Sequence, residues 1–118
     1  MDNSQEAFLR QTNRPRIVCL CGSTRFLDTF REVHQQEALA GRIVLSVECV
    51  TSSDRDVQDY NPETKAQLDQ LHFRQVELAD EVLVLNVGSY VGQSTRNEIR
   101  HAQRLGKLVR WLEPPDGC

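Results

Sequence analysis

The sequence predicts an α/β fold, a single domain around a parallel sheet of four to five strands. Three observations point there. Short apolar runs rich in Val, Ile and Leu recur along the chain, of the kind buried on both faces of a parallel sheet. Stretches of helical periodicity separate them, and strands alternating with helices imply right-handed crossovers. At 118 residues the chain is long enough for one core of moderate size, which sets one domain over residues 16–113.

In chain order, residues 1–15 are polar and lack the apolar centre of a secretory signal, so they read as a mobile arm. Residues 17–21 form a first buried strand, entered after Pro15 and ended by Gly22. Helical spacing takes over from 24 to 40, with Phe26, Leu27, Phe30, Val33, Glu37 and Ala38 recurring at three and four. Residues 43–47 make a second strand, and the polar, acidic stretch 51–62, closing on Asn61-Pro62, makes a loop. Asp54, Asp56 and Asp59 within it read as a solvated charge run. A second helix is expected from about 63 to 79, with Leu68, Leu71, Gln75 and Ala79 on its inward face. Residues 81–87 are the most hydrophobic strand, followed by a glycine-bearing loop over 88–93. Ser94 or Thr95 opens a third helix that ends near Gly106, residues 108–112 give a fourth strand, and 114–118 a tail after Pro114-Pro115.

Composition narrows the function classes. A net charge of −3 and a pI near 5.6 give no footprint for duplex nucleic acid, while allowing a local basic pocket for one phosphate. No apolar run approaches the roughly 20 residues of a membrane helix, so a cytoplasmic protein without a membrane partner is expected. Cys19, Cys21, Cys49 and Cys118 then read as reduced thiols. None of these cysteines or the histidines shows the usual zinc-ligand spacing, so no metal is expected.

Parallel sheets place ligands beyond the carboxyl ends of their strands, and two loops there carry unusual chemistry. Gly22-Ser23-Thr24-Arg25 joins a strand to a helix. Glycine permits a tight turn, the first helical amides face an anion, and Arg25 offers a bidentate grip on phosphate or carboxylate. The alternative is that Ser23 or Thr24 caps the helix and Arg25 is solvated. The second loop runs from Gly88 through Tyr90, Gly92, Ser94 and Thr95 to Glu98. Thr95-x-x-Glu98 fits a capping box, which would make Glu98 a local helix stabiliser. The same position near helix amides keeps a carboxylate ionised, as a nucleophile requires. His72 falls on the inward face of the second helix, either as a satisfied core residue or as a group facing the site.

Together these pieces resemble the nucleoside 2-deoxyribosyltransferase-like superfamily. The resemblance rests on Cys21-Gly22-Ser23-Thr24-Arg25, on the run Ala79-Asp80-Glu81-Val82-Leu83-Val84-Leu85-Asn86, on the loop reaching Glu98, and on Gly106-Lys107-Leu108-Val109. It spans residues 16–113 and is nearest to the branch that cleaves nucleoside 5′-monophosphates. It implies a flavodoxin-like (Rossmann-like), doubly wound sheet and a homodimer whose subunits complete each other's sites. It also implies that Glu98 attacks C1′ of the sugar and that Ser23 and Arg25, with the Ser94 region, hold the phosphate. Gly22, Thr24, Asn86, Gly88, Tyr90, Gly92 and Thr95 complete the expected substrate-binding set. Where many members carry an aspartate, His72 stands here, and Cys19 stands where several have tyrosine.

That chemistry suits the residues. An N-glycoside breaks through an oxocarbenium-like transition state that a carboxylate can trap, after which water releases the sugar phosphate. The leaving base needs a proton or hydrogen bond, expected from His72 or Asn86. No metal or organic cofactor is required. Two other readings share parts of the pattern. A lysine-decarboxylase-like phosphoribohydrolase shares the Thr-x-x-Glu ending but has a double glycine that is missing before Thr95. A nucleotide-sensing module would bind without turnover.

Overall fold

The structure is a computed structural model that describes residues 14–46 and 61–115. Strands β1 (Ile17–Cys21), β2 (Ile43–Leu45), β3 (Glu81–Val84) and β4 (Leu108–Trp111) pair in parallel in the order β2-β1-β3-β4. Helices α1 (Leu27–Leu39), α2 (Pro62–Leu78) and α3 (Gln93–Arg104) connect them. This is the expected α/β architecture, a four-stranded all-parallel sheet compatible with a flavodoxin-like fold.

Side chains alternate across each strand, so β1 feeds two cores. Val18 and Leu20 point to one face and pack with Leu83, Leu85, Phe30 and Val33, the last two from α1. Cys19 and Cys21 point to the other, against Val82, Val76, Ala79 and Ala102 beneath α2 and α3. Helices on both faces make the sheet doubly wound. The strand order reverses between β1 and β3, which puts a cleft beyond their carboxyl ends.

Several boundaries differ from the sequence reading. Residues 24–40 are not one helix: Ser23 Oγ accepts from Arg25 N at 3.3 Å and caps a 3₁₀ turn (Thr24–Phe26), and α1 starts only at Leu27. β3 stops at Val84 rather than continuing to residue 87. Beyond it the Asn86 amide donates to Glu113 O and accepts from Glu113 N, both at 2.9 Å, and the chain then turns through Gly88 and Ser89 at φ 62° and 65°. A left-handed pair of residues cannot continue a strand. β2 ends at Leu45, and β4 at Trp111. The inward face of α2 carries His72 and Val76, with Ala79 buried just after it and Leu68 at the cleft, whereas Leu71 of the expected stripe is 55% exposed. Arg14, assigned to the arm, donates to Asp80 at 2.8 Å. The rest of the arm, the end of the 43–47 strand, the acidic run at Asp54, Asp56 and Asp59, Cys49 and Cys118 lie outside the described residues.

At the amino ends of the strands sits an ion-pair lattice. Glu81 is 3% exposed and accepts from Arg16 Nε at 2.8 Å and Arg110 Nε at 2.6 Å, while Arg110 Nη2 reaches Glu37 on α1 at 2.6 Å. Beside it, Arg14 and the Ile17 amide pull the Asp80 carboxyl down to a pKa of about 2. Every carboxylate of the lattice has a guanidinium partner, which is the condition for tolerating burial.

At the carboxyl end of β1, Gly22 lets the turn lie against β3. A Cβ there would sit 3.1 Å from Leu85 Cβ and 3.3 Å from Leu85 O, and backbone cannot yield as a flexible side chain does. Gly22→Ala is therefore expected to cost ~1–3 kcal/mol through overpacking. A chemical-denaturation midpoint equal to wild type would refute this.

Candidate active site

A cleft of ≈ 290 Å³ opens at the switch point. This is close to the lower limit of ~300 Å³ for small-molecule sites. One wall is the turn after β1, with Gly22, Ser23, Thr24 and Arg25. The facing wall is the loop and first turns of α3, with Tyr90, Gly92, Ser94, Thr95 and Glu98. α2 supplies the third wall through Lys65, Leu68, Asp69 and His72. Ten of the twelve residues expected from sequence thus converge on one cavity.

Asn86 and Gly88 are not brought to it. Asn86 is 1% exposed with its amide committed to Glu113, and Gly88 N donates to the Glu113 carboxylate at 3.2 Å. Asn86 lines a separate groove with Arg96, Arg100 and Trp111. No proton from Asn86 can reach a base in the main cleft in this arrangement.

Glu98 is not a cap. α3 begins at Gln93 with Gly92 as N-cap, which places Thr95 at the third helical position and Glu98 in the second turn. There Glu98 points inward, 7% exposed, and Oε2 accepts from His72 Nδ1 at 2.6 Å. The capping box needs its acid at the third position, one turn earlier. Glu98 instead carries a buried charge on the wall of a cleft.

His72 is 4% exposed, and its other nitrogen, Nε2, lies 3.1 Å from the Leu20 carbonyl oxygen. Burial works against a charged ring, yet the Cys21 sulfur and the Glu98 carboxylate hold its pKa well above the ordinary histidine value. The imidazolium then donates at both ends, to Glu98 and to Leu20 O. With both nitrogens engaged, the ring fixes the carboxylate and has no donor left for a ligand. Sulfurs lie close behind it: Cys19 Sγ is 3.4 Å and Cys21 Sγ 4.0 Å from Nε2. These three donors are the one group among the described residues placed to hold a metal. Linear spacing concealed it, because His72 arrives from a different element.

On the opposite wall, the Arg25 guanidinium lies over the Tyr90 ring, 4.3 Å from its centroid, with Nη2 3.4 Å from the phenol oxygen. Phe26 meets the same ring edge-on at 6.0 Å. Arg25 has no carboxylate partner among the described residues, so its charge stays available to an anion.

Sequence reasoning missed Lys65 and Asp69, which pair at 2.9 Å within the cleft. A signal existed: 65, 68, 69 and 72 follow the i, i+3, i+4, i+7 spacing of one helical face. That spacing alone does not separate Lys65 and Asp69 from an ordinary surface ion pair at i, i+4.

Among protein-family models, curated proteins and solved structures, none matches the chain. Among the described residues no helix is long and apolar enough to cross a membrane.

Proposed function

We propose that the chain hydrolyses, or transfers, the N-glycosidic bond of a nucleoside 5′-monophosphate, as members of the nucleoside 2-deoxyribosyltransferase-like superfamily do. The observation that carries this reading is Glu98, buried, aimed by His72 and facing a cleft whose far wall holds an arginine with no carboxylate partner among the described residues. A carboxylate stripped of water and fixed in direction is a prepared nucleophile, and the arginine supplies the complement to a phosphate.

In the proposed reaction Glu98 attacks C1′ from the face opposite the base. The glycosidic bond breaks as the ester forms, and the base departs with the bonding electron pair. Water then attacks C1′ of the glycosyl ester, loses a proton, and regenerates the carboxylate with retention of configuration. His72 holds Glu98 rather than protonating the base, since both ring nitrogens are occupied. Among the described residues Lys65 and Asp69 are the cleft's remaining ionisable groups on that side, and they are the proposed partners of the departing base. A homodimer belongs to the same proposal. Leu71 and Leu78, 55% and 65% exposed and seven residues apart on α2, form an apolar stripe that such a contact would cover.

The deciding experiment incubates the protein with a panel of nucleosides and their 5′-monophosphates and follows free base by chromatography. Release from monophosphates supports the reading. Saturable monophosphate binding without any free base would establish a sensing module instead.

Arg25 gives a sharper expectation. A charge-assisted, bidentate contact contributes ~1.5–3 kcal/mol, so Arg25→Ala should lower kcat/KM for monophosphates ~10- to 100-fold. Nucleosides, which lack the phosphate, should be turned over equally well by both proteins. Equal impairment of both substrate types would show that Arg25 does not read phosphate.

A further inference from the structure

Two thiols and an imidazole meet behind the cleft in a way that apolar packing alone does not require. Cys19 and Cys21 share one face of β1 and are both fully buried. His72 comes from α2, and the donor atoms of all three residues lie within 4.8 Å of one another. Buried cysteine is commonly just a small apolar residue, so the sulfurs by themselves indicate nothing. The imidazole changes that, because its Nδ1 is tied to a carboxylate at 2.6 Å and its Nε2, 3.1 Å from the Leu20 carbonyl oxygen, is thereby held within 3.4 and 4.0 Å of the two sulfurs. Histidines that bind metals are held in this way: the distal nitrogen bonds a carboxylate, which fixes the ring and strengthens the ligand.

The distances agree. Zn–S of ~2.3 Å and Zn–N of ~2.0–2.1 Å at tetrahedral angles place a sulfur about 3.6 Å from the nitrogen. The observed sulfur–nitrogen separations are 3.4 and 4.0 Å, so these pairs need only a few tenths of an ångström, and the two sulfurs lie within 4.8 Å of each other where a tetrahedral centre needs ~3.8 Å. Charge agrees as well. Two thiolates and a neutral imidazole cancel a divalent ion, so the ligand set itself is neutral and the net charge left is that of the Glu98 carboxylate on the cleft wall. Gln75 Oε1, 4.0 Å from Cys19 Sγ, is a side-chain oxygen within reach of a fourth position.

We propose that Cys19, Cys21 and His72 form a site for a thiophilic divalent ion of the zinc class, with Glu98 as the carboxylate behind the histidine. On binding, two Zn–S bonds and one Zn–N bond form, and the Nε2–H hydrogen bond to the Leu20 carbonyl is given up. The two thiol protons and the Nε2 proton pass to solvent, and no oxidant or reductant is involved. The ion joins β1 to α2 and leaves the Nδ1–Glu98 contact in place. The site does not depend on the glycosidase reading: it is tested without substrate, and turnover is tested in the presence of a chelator.

The test uses the full chain under reducing conditions, with Cys49 and Cys118 replaced by serine so that only the buried pair can ligate. Zinc and cobalt(II) are the probes. One equivalent of zinc should bind with sub-micromolar affinity in competition with a chromophoric chelator. Cobalt(II) should give a thiolate-to-metal charge-transfer band that zinc abolishes. Cys19→Ser and Cys21→Ser should each weaken binding at least ~100-fold, circular dichroism confirming the fold, whereas Glu98→Gln should retain stoichiometric zinc with weaker affinity, in the ~10- to 100-fold range typical of outer-shell partners. A folded protein that takes up less than a tenth of an equivalent of zinc, or a cobalt spectrum without a thiolate band, overturns the proposal. The cobalt spectrum decides the matter even if a serine variant fails to fold.

Discussion

Glu98→Gln should bind a nucleoside 5′-monophosphate and release essentially no base, with kcat reduced by at least ~10³-fold. The amide keeps the size of the carboxylate and can still meet His72, but it cannot form a glycosyl ester. Stability should fall by only ~1–3 kcal/mol, because His72 can release a proton once its counter-charge is gone. Isothermal binding, a melting curve and a chromatographic assay separate the three quantities. A variant that keeps more than about a tenth of wild-type turnover would mean that Glu98 is part of the fold and no nucleophile; that threshold lies far above the loss expected for a covalent role.

His72 should show its role through a pair of substitutions rather than one. His72→Phe keeps a planar ring and removes both donors, leaving Glu98 as a buried carboxylate without a partner. Breaking a buried pair costs ~3–5 kcal/mol, and the lower end applies because Glu98 sits on the cleft wall rather than deep in the core. A domain of this size should then melt ~10 °C or more below wild type. His72→Asn places an amide N–H near the position of Nδ1 and should restore part of the contact. With chelator present, kcat should fall ~100-fold or more in His72→Phe and recover about tenfold in His72→Asn, while KM changes little in either, as expected for loss of a group that aims the nucleophile. If the two variants are equally active once both are folded, His72 only supports the core.

Much of the fold was legible because burial on both faces leaves an unmistakable mark. Ile17–Cys21 and the run beginning at Glu81 contain almost nothing but apolar residues, and each is followed by helical spacing. Boundaries were less legible, since they depend on contacts between distant residues. β3 ends at Val84 because Asn86 is drawn to the Glu113 backbone, and no local pattern announces that pairing. The Gly22–Arg25 turn could be read from its place after a strand, and the structure brings it to the cleft. The partnership of His72 with Glu98 could not be read, as 26 residues separate them and the Thr95-x-x-Glu98 spacing offered a local explanation. Helix phase decided the rest: Leu71 faces outward, and Asp69 and Lys65 share the cavity wall with Leu68.

The lattice around Glu81 lies at the amino edge of the sheet, and the cleft lies at the carboxyl edge. A strand of five residues spans about 16 Å, beyond the ~7–10 Å over which substitutions usually couple. Changes at Arg16, Glu37 or Glu81 should therefore alter how long the molecule stays folded without altering how fast it turns over, and the two effects should add. Such a division lets a sequence drift at one edge while selection acts on the other. It also marks the guanidinium–carboxylate end as the place where laboratory evolution can accumulate heat resistance before any new specificity is sought at the cleft.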